Sequence, residues 1–295
     1  MSDSCSDIVH LAHLSDVHLP PPPRIAARDL INKRILSLML WNARRRHVHL
    51  ASLGDAVVAD IASCKPDVIA VTGDLTNFGL PVEIESGARW LAGLPAPSVI
   101  VPGNHDRMTN LPWADGLAQW APWMAASPGQ FPYVRRVGPV CLIGVNSAIA
   151  SPPFMAYGRV GQRQGERLHA ILSRTRGSYR VVLIHHPPRA GLVKPRKSLL
   201  DSYKISGILQ SAGAEMVLHG HSHDATMTTV PGTDIPLIGV ASSSLRSSLP
   251  LRQAGWNDFS ISPISKGWDV TLIRRQIDAE GRHNVLSEHR WQRHS

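Results

Sequence analysis

Residues 68–79 read Val-Ile-Ala-Val-Thr-Gly-Asp-Leu-Thr-Asn-Phe-Gly. An unbroken apolar, β-branched run of this length predicts a strand buried on both faces. Gly73 lets the chain turn sharply there and deliver Asp74 just past the strand's carboxyl end. The same pattern recurs along the chain. Ile8–Leu14 runs into Ser-Asp-Val-His (15–18), Val99–Val101 into Gly-Asn-His-Asp (103–106), Val181–Ile184 into His-His-Pro-Pro (185–188), and Met216–Leu218 into Gly-His-Ser-His (220–223). Cys141–Val145 is a further run of the same kind. Helical patterns lie between them at Pro81–Leu94, Gln162–Arg176 and Leu199–Ala212. Strand–helix alternation implies an α/β protein with a largely parallel central portion. Ligands of such folds collect at strand carboxyl ends, where five strands deliver Asp, His and Asn. In the C-terminal third, Thr226–Val230, Leu237–Ala241 and Val270–Gln276 have few helices between them, so a second, more antiparallel sheet is expected. The simplest division is one domain, 1–295, with an insertion at 20–50 and a basic tail at 282–295.

The chain has 295 residues, with 31 Lys plus Arg against 22 Asp plus Glu, a formal charge of +9. Apolar residues make up 43% and charged residues 18%, which excludes a disordered chain. No apolar run approaches the ~18–20 residues of a membrane span. Met1–Asp7 lacks the pattern of a signal peptide, so a cytoplasmic protein is expected. Cys5, Cys64 and Cys141 are odd in number and form no CxxC pair, which argues against a disulfide framework or a zinc ribbon. The positive balance points to anionic partners.

Asp16 and His18 are two apart, as are His221 and His223, so each pair can chelate one ion. Carboxylate, imidazole and amide oxygen without thiolate suit a divalent Mn, Fe or Zn ion and not a closed structural zinc site. Taken singly, each cluster has an ordinary reading. Asp-x-His is most often a cap or loop pair, Gly-Asp a turn, and a strand histidine such as His185 a satisfied core group. Five clusters in this order at the ends of separate strands do not fit those readings jointly.

The order Asp-x-His, Gly-Asp, Gly-Asn-His-Asp, His-x-Pro, Gly-His-x-His resembles the calcineurin-like metallophosphoesterases from Asp16 to His223. The phrase Thr72–Gly79 is most similar to their bacterial cyclic-nucleotide and glycerophosphodiester phosphodiesterase branch. The resemblance implies a four-layer α/β/β/α sandwich of two mixed sheets. It also implies a binuclear centre of two divalent ions (Mn, Fe or Zn) that attacks phosphorus with a bridging hydroxide. Asp16, His18 and His223 would hold one ion, Asn104, His185 and His221 the other, and Asp74 would bridge both. His105 would protonate the leaving group or bind phosphoryl oxygens, with Asp106 orienting it or capping a loop. His186 and His219 would support neighbouring ligands.

The function expected is hydrolysis of a P–O bond in a small anionic phosphodiester, such as a cyclic nucleotide or glycerophosphodiester. Three alternatives stand beside it. The first is a phosphoesterase or pyrophosphatase at the inner membrane surface acting on a lipid-linked phosphate, similar to UDP-diacylglucosamine hydrolases. The second is a nuclease, although no dedicated basic stripe marks a nucleic-acid partner. The third is a metal-free scaffold, which the complete set of putative ligands argues against.

Pro20–Leu50 carries Arg24, Arg28, Lys33, Arg34 and Arg44–Arg46 around an apolar stretch, Ile35–Trp41. It reads as a helix covering the sheet or lidding the active site, with its arginines in solvent, or as an interfacial helix on anionic lipid. The aromatics of Met108–Tyr133 read as core, or as a surface for a base or acyl chain. Arg189, Lys194, Arg196, Lys197 and Lys204 read as a solvated loop, or as one that binds a second phosphate or steers anions. Arg282–Ser295 is expected to be a frayed terminus.

Overall fold

The computed structural model describes residues 8–278 and 280–293. Met1–Asp7, with Cys5 and the expectation about a leader, lie outside the described residues. In chain order the elements are β1 (Val9–Leu14), α1 (Arg34–Ala43), α2 (Ala51–Cys64), β2 (Val68–Val71), α3 (Pro81–Ala92), β3 (Ser98–Ile100), β4 (Tyr133–Val137), β5 (Val140–Val145), α4 (Gln162–Arg174), β6 (Tyr179–Ile184), α5 (Ser202–Ala212), β7 (Met216–His219), β8 (Met227–Thr229), β9 (Pro236–Gly239), β10 (Gly255–Ile264), β11 (Gly267–Ile277) and β12 (His283–Arg293). They form two six-stranded sheets, ordered β12-β11-β10-β1-β2-β3 and β4-β5-β6-β7-β9-β8. β1–β2–β3 and β5–β6–β7–β9 are parallel, while the remaining pairings are antiparallel. Both sheets are therefore mixed.

Period-2 alternation sorts each strand of the second sheet between two layers. Val182 and Ile184 of β6 pack with Leu168 and Leu172 of α4 and Ile205 and Leu209 of α5. Tyr179, Val181 and Leu183, one step out of phase, join the large core shared with the first sheet. Leu142, Met216, Leu218 and Ile238 do the same. On the first sheet α2 contributes Leu53, Val57 and Ile61, and α3 contributes Ile84 and Leu91. The result is a four-layer α/β/β/α sandwich with strands buried on both faces, which is why β2, β5, β6 and β7 read as continuous apolar runs.

Two expectations are corrected. The C-terminal strands do not build a sheet of their own. β8 and β9 complete the second sheet, and β10–β12 extend the first through the antiparallel pair β1–β10. Asn257 of β10 explains the destination: its amide reaches buried His13 of β1 at 3.1 Å, which suits a strand inserted beside β1. Nor is the tail frayed over 282–293; His294 and Ser295 lie outside the described residues. His283–Arg293 is edge strand β12, paired along β11 and tied down by Arg290–Asp269 and Arg293–Asp234. Its polar, charged sequence is what a solvent-facing edge strand carries.

Met108–Tyr133 settles on its core reading. Trp120 and Phe131 are fully buried, and the Trp120 indole donates to the Ile84 carbonyl of α3 at 2.8 Å. Among the described residues no helix is long and apolar enough to cross a membrane.

Candidate metal centre

The loops after β1 and β2 are laced together by backbone hydrogen bonds, Asp16 N–H to Gly73 O and His18 N–H to Asp74 O. Asp106, after β3, accepts from the backbone N–H groups of Gly103, Asp74 and Thr76 at 2.8, 2.8 and 2.9 Å. It therefore clamps two loops and does not touch the His105 ring, which decides in favour of its capping role. Burial and the charge on Asp74 push its carboxyl up to about 7. From the second sheet, the loops after β6 and β7 bring His185, His221 and His223 to the same place. The site thus lies at the seam between the two sheets, not along the edge of one.

All eight residues singled out from the sequence meet there. The donor atoms of Asp16, His18 and His223 lie within 4.8 Å of one another, as do those of Asp16, Asp74 and His185. Asp74 Oδ1 accepts the His105 N–H at 2.7 Å, and its Oδ2 stands 3.3 Å from His185 Nε2. The built Cβ of an alanine at position 103 would collide with the Asp74 carboxylate, so only glycine permits this approach.

The residues fit a cation. His185 Nδ1–H is spent on the Thr72 carbonyl at 2.6 Å, leaving the Nε2 lone pair facing both Asp74 Oδ2 and Asn104 Oδ1, the latter at 3.2 Å. Three acceptors turned on one point need a proton or a metal between them. Burial alone would lower His185, but Asp74 raises it to about 9, which marks the demand for positive charge. On the other side Asp16 Oδ1 is buried with no hydrogen-bond partner, although His223 Nε2 is 3.0 Å away. Asp16 Oδ2 is held by the His221 N–H at 3.0 Å. Burial opposes charge on Asp16 and Asp74, yet His223 and His185 respectively keep their carboxyls below the ordinary range. Burial pushes His18 and His221 well below the usual imidazole range, so both offer neutral lone pairs. Each also has one ring nitrogen anchored, His18 Nδ1 on Thr76 O and His221 Nε2 on Lys197 O.

His186 lies beside His185 and His221, but both its ring nitrogens are engaged, with Ser147 Oγ at 2.8 Å and Ala156 O at 3.3 Å. His219 bonds Gly220 O and Thr226 Oγ1. His105 Nδ1 faces the Asn77 carbonyl at 2.8 Å, which makes it the protonated nitrogen and leaves the Nε2 lone pair toward the cavity, where Arg45 Nη1 stands 3.3 Å away. Burial, then Arg45, lowers His105 to about 3.

The cavity over this cluster measures about 350 Å³. One wall is the 20–50 insertion, which supplies Lys33, Leu36, Leu40 and Arg45; another holds Phe154, Arg196 and Lys197. The insertion covers the site, but two of its arginines are not in solvent. Arg34 is buried, donating to Phe78 O, Gly79 O and Thr109 Oγ1 at 2.7–3.0 Å. Arg45 turns inward, with Nη1 3.3 Å from His105 Nε2 and Nη2 3.2 Å from His18 Nε2. His49 follows, buried on Ser244 Oγ with its ring centroid 4.6 Å from that of His18. The sequence reading missed Arg45 and His49 as site residues. Their only signal was a basic run (Arg44–His47) lying shortly after the Asp16–His18 motif.

The chain matches the family model described as "Calcineurin-like phosphoesterase" over residues 9–225. It is 23% identical to a probable cyclic nucleotide phosphodiesterase of Synechococcus sp., covering 86% of this chain and 88% of that one. It is 25% identical to a probable glycerophosphodiester phosphodiesterase of Arcobacter nitrofigilis, covering 68% of this chain and 72% of that one. Among solved structures, a dimetal phosphatase from Danio rerio shares its fold with a TM-score of 0.62 at 11% identity, covering 95% of this chain and 98% of that one. A two-sheet sandwich whose loops gather Asp, His and Asn at their seam, matched by the family model over most of its length, places the chain in the calcineurin-like phosphoesterase family, as a metal-dependent phosphoric ester hydrolase.

Proposed function

We propose that this single catalytic domain hydrolyses a P–O bond of a small phosphodiester, such as a cyclic nucleotide or a glycerophosphodiester, in the cytoplasm. Asp16, His18 and His223 would hold one divalent ion and Asn104, His185 and His221 a second, with Asp74 as a ligand common to both. The observation that carries the reading is the sharing of Asp16 between two donor groups, one of them with Asp74 and His185. Manganese, iron or zinc suits the donor set. When bound, the ions supply Lewis-acid charge and an activated water. The chain's own residues do the rest. His105 N–H and the Asp106 clamp fix Asp74. His105 turns Nε2 toward the leaving oxygen; with its Nδ1–H on Asn77 O, the ring gives that oxygen a proton from Nε2 only as the imidazolium, and as the neutral ring it accepts one there. Small phosphodiesters are favoured because both curated relatives named above bear phosphodiesterase names.

The test is hydrolysis of bis-p-nitrophenyl phosphate by the manganese-loaded protein. Asp74→Ala and Asn104→Ala should abolish turnover, and His105→Ala should lower kcat roughly 10²–10⁴-fold. An absence of turnover with Mn, Fe, Co, Ni and Zn alike would overturn the reading.

A second reading rests on the rim of the cavity. Ile35, Met39 and Leu40 of α1 and Phe154 opposite are 49%, 64%, 61% and 74% exposed, and Arg44 and Arg46 flank them in solvent. An exposed apolar face bordered by arginines suits an anionic bilayer carrying a lipid-linked phosphoester. Flotation with phosphatidylglycerol vesicles decides, and protein that stays unbound removes this reading.

A further inference from the structure

We propose that Arg45 and Lys197 form a cationic clamp for the non-bridging oxygens of the phosphoryl group, with the arginine supplied by the insertion at 20–50. The inference rests on the phosphoesterase reading and assigns that site two substrate-binding residues absent from the metal-ligand motifs.

The first observation is a missing counterion. Several arginines of this protein meet carboxylates, Arg180 with Glu215 at 2.7 Å, Arg252 with Asp224 at 2.6 Å and Arg275 with Asp258 at 2.9 Å, and buried Arg34 and Arg274 donate to backbone carbonyls instead. Among the described residues, Arg45 and Lys197 have none within ion-pair reach. Arg45 instead points its guanidinium at the neutral imidazoles of His18 and His105, 3.2–3.3 Å away. A partly desolvated guanidinium without a counterion is costly, and imidazole nitrogens are weak substitutes for an anion. Both side chains line the same cavity as Asp74 and His105.

The second observation is that both cations spring from anchored backbone. Arg45 opens the short turn Arg45–His47, which is anchored by Leu50 N–H to Ser244 O and by Arg246 N–H to Val48 O. Lys197 ends the turn Pro195–Lys197, and its carbonyl holds His221 Nε2 at 2.8 Å. The arrangement selects a ligand with several anionic oxygens close together, which describes a phosphoryl group. Arginine offers its planar fork to two of them and lysine a point charge to a third.

The test uses manganese-loaded wild type, Arg45→Ala, Arg45→Lys and Lys197→Ala. Metal content is checked by mass spectrometry, binding of inorganic phosphate by calorimetry, and kcat and KM on bis-p-nitrophenyl phosphate. Fully loaded Arg45→Ala should bind phosphate at least about ten-fold more weakly, with kcat down roughly 10²–10³-fold, the scale of losing one donor to developing charge. Arg45→Lys should recover part of both losses. Lys197→Ala should weaken phosphate binding with a smaller loss of kcat. Phosphate binding within about two-fold of wild type in fully loaded Arg45→Ala or Lys197→Ala would overturn the clamp. Should Arg45→Ala lose metal, Lys197→Ala decides, since it removes no contact to an imidazole. Phosphate calorimetry needs no diester turnover. Wild type that binds phosphate but cleaves no diester would therefore sink the proposed function and leave the clamp standing.

Discussion

Asp16, His18, Asp74, His221 and His223 share an uncommon backbone state, with φ of 53°, 47°, 57°, 65° and 55°. Left-handed conformations cost a non-glycine residue about 1–3 kcal/mol each and persist where the surroundings over-determine them. Here the surroundings are the cross-loop hydrogen bonds and the Asp106 clamp, which aim each donor inward. Close approach makes the site intolerant of added atoms. Gly103→Ala should displace Asp74, cost at least about 1–3 kcal/mol and strip the protein of metal. Melting curves and metal analysis check this, and a fully loaded variant with unchanged Tm would contradict it. At this scale the sequence was informative because each putative ligand follows an apolar run and several follow a glycine. Arg45 and His49 were illegible for the opposite reason. Arginine in a basic run looks solvated, and only the tertiary course of the insertion turns one guanidinium inward while its neighbours face water.

The insertion behaves as a stapled cover. Arg34 satisfies two carbonyls and a hydroxyl beneath it, and Lys33 Nζ bonds Ser151 O at 2.7 Å. Arg34→Ala leaves the carbonyls of Phe78 and Gly79 without their donor, a loss of about 1–3 kcal/mol. The cover should then open more often. Trypsin should cut faster at Arg24–Arg46, and KM should rise more than kcat falls; unchanged proteolysis would refute the stapling. Among the elements, buried strands announced themselves, but α2, β10 and β12 did not. α2 is rich in Ala, Ser and Gly, with a narrow stripe of Leu53, Val57 and Ile61. β10 and β12 interleave polar residues that look like loop or tail until a partner strand is in place.

The whole molecule buries several imidazoles in neutral form. Burial lowers His13 well below 6.5, His186 to about 3 and His219 to about 4. A base with a depressed folded pKa favours the fold above its unfolded value near 6.5, and that contribution is lost as pH falls toward the folded pKa. For His186, near 3, the penalty at pH 5 is about 2 kcal/mol. His185, raised to about 9, and Asp106, raised to about 7, work the other way, their contributions fading as pH rises through 9 and through 7 respectively. The lowered imidazoles, which include His18, His49, His105 and His221, outnumber them. Urea midpoints of chelated protein should accordingly fall between pH 7.5 and 5, and an equal or higher midpoint at pH 5 would contradict this. Divalent metal should raise Tm, by the equivalent of about 2.7 kcal/mol at a free concentration 100 times Kd. A melt insensitive to Mn and to chelator would speak against a site shared by both sheets. The alternation of strand and helix gave the α/β class, but the sharing of strands between sheets was hidden, because β1 and β10 lie far apart in the chain and pair only through the fold.

That pairing, Val9 with Ile261 and His13 with Asn257, bears on how the protein is made. During synthesis β1 waits for β10 before its outer edge is covered. The donors from His185 to His223 likewise emerge long after Asp16. A nascent chain therefore holds an open, β-branched edge until β10 is made, and the donors cannot meet before His223 has emerged.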